Sequence, residues 1–184
     1  MKNTAIIIPT RLGAKRFPNK PLADINNIPM IVHVLNRAKE SKVGEVCVAT
    51  PDQKIIDVVK KYSGNAILTK KNHFSGSDRV YEVYKNKFND SVDLIINLQG
   101  DMPNIKPEAI LKLEHLMRSS KSDIGTLAST LKNKDEINDT NIVKVQVEDN
   151  LKNDNFLKAK DFFRIKNSPN IEKIYHHIGI YAFT

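Results

Sequence analysis

The sequence predicts an α/β protein whose core is a doubly wound, mostly parallel sheet, and three observations carry that expectation. Short, largely apolar runs recur at 5–8, 45–49 and 93–98, the mark of strands covered on both faces. Between them lie stretches whose apolar residues fall at helical spacing. The two kinds of segment alternate, with no internal repeat, low-complexity tract or proline-rich linker, which argues for a single layered domain over residues 1–184.

Taken in order, Ala5-Ile6-Ile7-Ile8 is the first buried strand, and a polar loop follows it over 9–22. Pro29 opens a helix with Ile31, Val34, Leu35 and Ala38 on one side. Residues 45–49 form a second buried strand. Asp52 can cap the next helix, which carries Ile55, Val58, Val59 and Tyr62 and stops at Gly64. A short strand at 66–69 leads through a loop to a helix with Val80, Val83, Tyr84 and Phe88 in register. Residues 93–98 are the next buried strand, and Pro107 begins a helix with the stripe Ile110, Leu113 and Met117. The stretches 124–131 and 142–147 alternate like strands, and 178–183 is a final apolar strand. Ligands of such sheets bind beyond the carboxyl ends of the strands, which directs attention to the loops 9–22, 70–78 and 99–106.

Composition excludes several classes. Hydrophobic residues make up 40% and charged residues 27% of 184, a globular balance rather than a disordered one. No apolar run approaches the roughly 20 residues that span a bilayer, and the N-terminus carries no signal-peptide pattern. Cys47, the single cysteine, lies in an apolar run and reads as a buried small hydrophobe; with no intrachain disulfide possible, a cytoplasmic location is expected. The net charge of +8 admits nucleic acid or a polyanionic small substrate as partner. The lysines are dispersed and aromatic residues are only 7%, so the second reading is preferred and no nucleic-acid partner is expected.

The first loop, Pro9-Thr10-Arg11-Leu12-Gly13-Ala14-Lys15-Arg16-Phe17-Pro18-Asn19-Lys20-Pro21-Leu22, is neither a Walker A loop nor a dinucleotide fingerprint. It is cation-rich: Lys2, Arg11, Lys15, Arg16 and Lys20 all precede the first acid, Asp24. Guanidinium forks and lysine point charges can neutralise triphosphate oxygens as a leaving group forms. Prolines 9, 18 and 21 stiffen the segment. Composition alone would equally allow a solvated basic loop, and the spacing decides for phosphate.

That spacing, Pro-x-Arg-x4-Arg-x-Pro-x-Lys-Pro-Leu, resembles the signature of the CMP-Kdo synthetases, the 3-deoxy-manno-octulosonate cytidylyltransferases. The resemblance continues through Pro29-Met30-Ile31-Val32-His33-Val34, Val48-Ala49-Thr50, His73-Phe74-Ser75-Gly76-Ser77-Asp78-Arg79, Asn97-Leu98-Gln99-Gly100-Asp101 and His177-Ile178-Gly179-Ile180-Tyr181. It implies a Rossmann-like nucleotidyltransferase fold. It implies the joining of CTP to the acid sugar Kdo (3-deoxy-D-manno-octulosonate), giving CMP-Kdo and pyrophosphate for lipopolysaccharide synthesis. By the same resemblance Arg11, Arg16 and Lys20 cradle the triphosphate, with Arg11, Lys20 and Asp101 as the catalytic set. Ser75, Gly76, Ser77 and Arg79 lie near the nucleoside. Gln99 lies near the base or the sugar, and His177 and Tyr181 shape the sugar pocket. Asp101 is one of two aspartates that hold Mg2+, and the enzymes are homodimers. Alternatives are a cytidylyltransferase for another acidic sugar, 8-amino-Kdo or sialic-acid-like, and a nucleotide-binding remnant without catalysis.

Four departures from the pattern stand out. Ala14 replaces a small hydroxyl, and Met102 stands where an acid is usual. Phe156-Leu157-Lys158 is the candidate for the family's Phe-Ser-Arg block. The family also continues several dozen residues past its His-x-Gly-Ile-Tyr strand, to a Val-Asp-Thr-Pro block with the second metal aspartate. The expectation is a C-terminally truncated chain with half a metal site, assembling and turning over poorly. Of the other histidines, His33 reads as structural, His73 as open and His115 as solvated, and no zinc spacing is present.

Overall fold

The structure is a computed structural model that describes residues 3–13, 17–89, 91–152, 156–165 and 173–184. Strand β1 (Thr4–Pro9) is buried along its whole length, as its unbroken apolar run requires. A 3-10 turn (Lys20–Leu22) and a small hairpin, β2 (Asp24–Ile25) and β3 (Ile28–Pro29), lead into helix α1 (Met30–Glu40). Then come β4 (Glu45–Thr50), α2 (Gln53–Lys61) and the short β5 (Ala66–Leu68). Helix α3 (Gly76–Val83) continues into a π-helical turn (Tyr84–Phe88), followed by β6 (Leu94–Leu98) and α4 (Pro107–Ser119). The remainder is β7 (Ile124–Ser129), α5 (Lys134–Asn138), β8 (Lys144–Val147), β9 (Ala159–Phe163) and the ten-residue β10 (Ile174–Phe183).

The main sheet runs β5-β4-β1-β6-β10-β8-β9, with β7 also paired to β10. Its first four strands are mutually parallel, and β10 enters antiparallel to β6. The strands β7 and β8 run antiparallel to β10, and β9 runs antiparallel to β8. Alternate residues of β1 face opposite layers. Ile6 and Ile8 join the core of α1, α2 and α4, whereas Ala5 and Ile7 join Val80, Val83 and Phe88 of α3 and its π turn. The sheet is therefore wound on both faces, as expected. Each of these isoleucines is fully buried and contributes about 1.5–3 kcal/mol by leaving water. Cys47 lies in the second layer, where burial pushes its thiol up to about 12; it is inert, as the apolar run implied.

Several boundaries differ from the sequence reading. Pro29 ends β3 and occupies the position before α1, so the helix begins at Met30. Asp52 stands at the N-terminal flank of α2 without capping it, because its carboxylate accepts the Leu12 N–H at 2.8 Å instead. The hairpin β2–β3 and strand β9 were not anticipated. The last strand starts at Ile174, four residues before the apolar run that marked it.

Candidate active site

Three loops leave the carboxyl ends of the parallel strands and meet. The first, after β1, is held against its neighbours by Thr10 N–H donating to Ala49 O at 3.0 Å and by the Leu12–Asp52 bond. It closes on itself where Asn19, in the left-handed region at φ 58°, donates its N–H to Leu12 O at 3.2 Å. Arg11 is exposed on this loop. Arg16, the second expected phosphate cation, lies outside the described residues.

The third loop, after β6, approaches the first so closely that a side chain at residue 100 would be tightly packed. A Cβ there would stand 3.0 Å from Thr10 Cβ and 3.1 Å from Pro9 O. Across this junction Lys20 Nζ meets Asp101 Oδ2 at 2.7 Å. The pair is 36% and 52% exposed, so its partners stay open to an incoming ligand, and it adds little to stability. Among the described residues no group of three or more His, Cys, Asp or Glu side chains stands together as metal ligands.

The second loop ends at Ser75, whose hydroxyl accepts from Asp78 N–H while Asp78 accepts from Ser75 N–H, a capping box that fixes the start of α3. Gly76 lies against Pro9 and Gln99, and Asn97 Nδ2 donates to Ser77 Oγ at 3.3 Å. Gln99 Nε2 donates in turn to Asn97 Oδ1 at 3.0 Å. Ser75, Gly76, Ser77 and Gln99 are thus brought together with the first loop. Arg79 is placed differently. It is 3% exposed, and its guanidinium donates to Thr69 Oγ1, to Lys70 O at 2.9 Å and to Lys71 O at 3.4 Å. Burial first, and then the nearby Arg11, lowers its pKa.

One turn along α3, Glu82 accepts the Lys70 N–H and pairs with the His73 ring at 2.5 Å. Burial raises the Glu82 pKa, but these hydrogen bonds and charges outweigh it and hold it below the ordinary carboxylate range. His73 is therefore a loop anchor. His33 likewise reaches Ile25 O at 2.9 Å, tying α1 to the hairpin, and His115 is exposed.

Beside Gln99 opens a hollow of about 400 Å³, lined by Gln99, Asn141, Phe162, His177, Gly179 and Tyr181 among others. It exists because β10 has β7 along one edge, while the other edge is shared by β8 at its start and β6 at its end. A bulge lies at the same point: Ile178 pairs with Leu127 but Tyr181 with Thr126. In a regular strand, residues four apart rise about 13 Å. The bulge shortens this, so that the His177 and Tyr181 rings stand 5.5 Å apart, with Phe162 edge-on to His177 at 5.0 Å. Burial, joined by the neighbouring His176, holds the His177 imidazole below the usual histidine range, and burial pushes the Tyr181 phenol up. The hollow therefore offers neutral polar groups and aromatic walls.

Phe162 of β9 lines this hollow, and the Arg164 guanidinium donates to Thr140 O and Asn141 O at 2.9 and 3.0 Å. Phe156-Leu157-Lys158 precedes the strand, and Phe156 packs on the core beside Gly125.

Strand order, crossovers and the meeting of loops define a nucleotidyltransferase fold. A solved 4-diphosphocytidyl-2C-methyl-D-erythritol synthase from Anaerococcus prevotii shares it at a TM-score of 0.63 and 17% identity, over 99% of this chain and 71% of that one. Residues 5–184 match the family model described as cytidylyltransferase. The chain is 40% identical, over 98% of its length and 72% of the relative's, to a 3-deoxy-manno-octulosonate cytidylyltransferase of Brucella canis. It superposes at a TM-score of 0.85, with 35% identity over 99% of this chain and 74% of that one, on a CMP:2-keto-3-deoxy-manno-octonic acid synthetase solved with CTP. This chain belongs to the cytidylyltransferase family, on the side of its 3-deoxy-manno-octulosonate cytidylyltransferases.

Proposed function

We propose that this chain joins CTP to Kdo, forming CMP-Kdo and releasing pyrophosphate. The observation that carries the reading is the junction itself. A cationic loop and a carboxylate meet at the strand ends through Lys20 and Asp101, and Gln99 links that junction to the hollow of His177 and Tyr181. The relatives named above supply the two substrates.

In this reading Arg11, Arg16 and Lys20 take the triphosphate oxygens, and the start of α3 from Ser75 to Ser77 lies beside the nucleoside. The anomeric hydroxyl of the sugar, held in the hollow by Gln99, His177 and Tyr181, attacks the α-phosphorus in line as pyrophosphate leaves. Such a transfer is chiefly positioning and charge neutralisation, which suits fixed cations on a stiff loop. Asp101 is the residue that would hold Mg2+. The ion commonly takes one or two carboxylates and completes its shell with substrate phosphates and water, so one exposed carboxylate beside a triphosphate fits it. Its chemistry when bound is to offset phosphate charge.

We further infer a cytoplasmic, homodimeric enzyme. Among the described residues no helix is long and apolar enough to cross a membrane. The test is pyrophosphate release from CTP, UTP, ATP or GTP with Kdo, 8-amino-Kdo and a sialic acid. Release with CTP and Kdo above all other pairs is the expected result. Preference for another sugar would reassign the acceptor, and CTP binding without release would leave a nucleotide-binding remnant.

A further inference from the structure

The bulge in β10 places three groups around one hydroxyl. Thr126 Oγ1, on β7, lies 2.6 Å from Ile180 O, 3.1 Å from Ile178 O and 3.0 Å from His177 Nε2. Gly179 and Ile180 are the two bulge residues without a partner on β7, and the Thr126 hydroxyl meets a carbonyl on either side of Gly179. A threonine hydroxyl carries one proton and two lone pairs, and a carbonyl oxygen can only accept. If the proton went to His177, two carbonyl oxygens would face the lone pairs of a third oxygen, one of them at 2.6 Å. The proton therefore belongs to the carbonyls, Ile180 O being the nearer, and His177 Nε2 must be the donor to Thr126.

A neutral imidazole with its proton on Nε2 has a bare lone pair on Nδ1. The ring's orientation is fixed on its other sides by Phe162 and Tyr181. Burial and His176 oppose a second proton on it. Thr126 takes the Nε2 side of the ring, and His177 lines the hollow.

We propose that Thr126 is a positioning residue, which fixes His177 as the Nε2–H tautomer so that Nδ1 accepts a hydrogen bond from a hydroxyl of the acid sugar. This rests on the reading of the hollow as the acceptor site. Thr126 acts through the imidazole and touches neither substrate. The same hydroxyl caps the bulge that brings His177 and Tyr181 together, so one side chain sets both the shape of the pocket and its hydrogen-bonding sense.

The experiment is nitrogen-15 NMR of the five imidazoles, with the His177 signals assigned by their loss in His177→Asn, together with steady-state kinetics. The wild-type protein should show His177 protonated at Nε2 and bare at Nδ1. Thr126→Val should mix the tautomers and raise KM for the sugar about tenfold, the order of one lost hydrogen bond, with KM for CTP unchanged. Thr126→Ser should restore both. A wild-type His177 protonated at Nδ1 overturns the proposal, as does an unchanged sugar KM in Thr126→Val. If the valine variant does not fold, the wild-type tautomer and the serine variant decide alone. Should no acid sugar be turned over at all, the functional reading falls, and the tautomer still tests the hydrogen-bond assignment.

Discussion

Replacing Arg79 by methionine removes the guanidinium but keeps most of its apolar stem, and it separates two roles that sequence alone could not. The head group holds Thr69, Lys70 and Lys71 from a position 3% exposed. Hydrogen bonds from a charged donor are worth about 1.5–3 kcal/mol each, and the bond to Lys71 O at 3.4 Å is marginal, so the gross loss is about 3–6 kcal/mol. Removing a cation that is buried and near Arg11 returns part of this, since both lower its pKa. The net cost should be about 2–4 kcal/mol. Urea unfolding measures it, and CTP affinity by calorimetry should fall only modestly, because the loop to Ser75 loosens while the phosphate cations remain. A cycle with Thr69→Val should give a coupling of about 1 kcal/mol or more. The reasoning is refuted if stability is unchanged and CTP binding is lost, which would put the guanidinium on the nucleotide.

Three further outcomes are expected. Asp101→Asn should change unfolding free energy by less than about 1 kcal/mol, because its pair with Lys20 is solvent-exposed, yet slow pyrophosphate release far more than it weakens CTP binding; equal losses in rate and affinity would count against a transition-state role. Gly100→Ala should cost about 1–3 kcal/mol by pushing Thr10 and Pro9 away from the β6 loop, and a melting curve identical to wild type would show that the loops part without strain. The His177 pKa is depressed below the unfolded value of about 6.5, so in the window between the two the unfolded chain binds more protons. Its contribution is whole above that window and lost as pH falls through it; His177→Asn should flatten the stability profile there, and an unchanged slope would place the titration elsewhere. The Glu82 contribution is separate, being lost only as pH falls below the carboxylate's unfolded value.

The parallel half of the fold was legible because both faces of its strands are buried. Residues 5–8 read as one apolar run since the two layers take alternate side chains of β1. The hairpin β2–β3 escaped notice although its signal was present: Asn26 and Asn27 both take positive φ, 51° and 64°, between two isoleucines. Strand β9 was hidden for a different reason. Among the described residues it pairs with β8 alone, and its Lys160 and Asp161 are exposed, so no alternation marks it. Lys144 is the extreme case. A lysine reads as solvent-facing, yet this one is fully buried, and its ammonium donates to Asp139 O and Arg164 O, acceptors that only the folded chain brings together. The same limit applied to Arg79, whose partners sit ten or fewer positions away but depend on the turn that the chain makes before α3.

In the proposed reading the antiparallel strand β10 lets one sheet serve two substrates. Parallel strands deliver their loops to a single edge of the sheet, and that edge here collects the cations, the capped start of α3 and Asp101. An acceptor must stand next to this edge, beyond the reach of the parallel loops. Strand β10 runs back past the end of β6, so its first half projects beyond Leu98 and is bordered there by β8 instead. At the handover between β6 and β8 the His177 N–H donates to Val143 O at 2.9 Å, and on the other edge the bulge compresses the strand. His177 and Tyr181 fall at that point, and Gln99, the first residue past β6, faces them across the hollow. The pocket thus follows from where two strands stop along a third, and Thr126 keeps the bulge hydrogen-bonded where the ladder is broken.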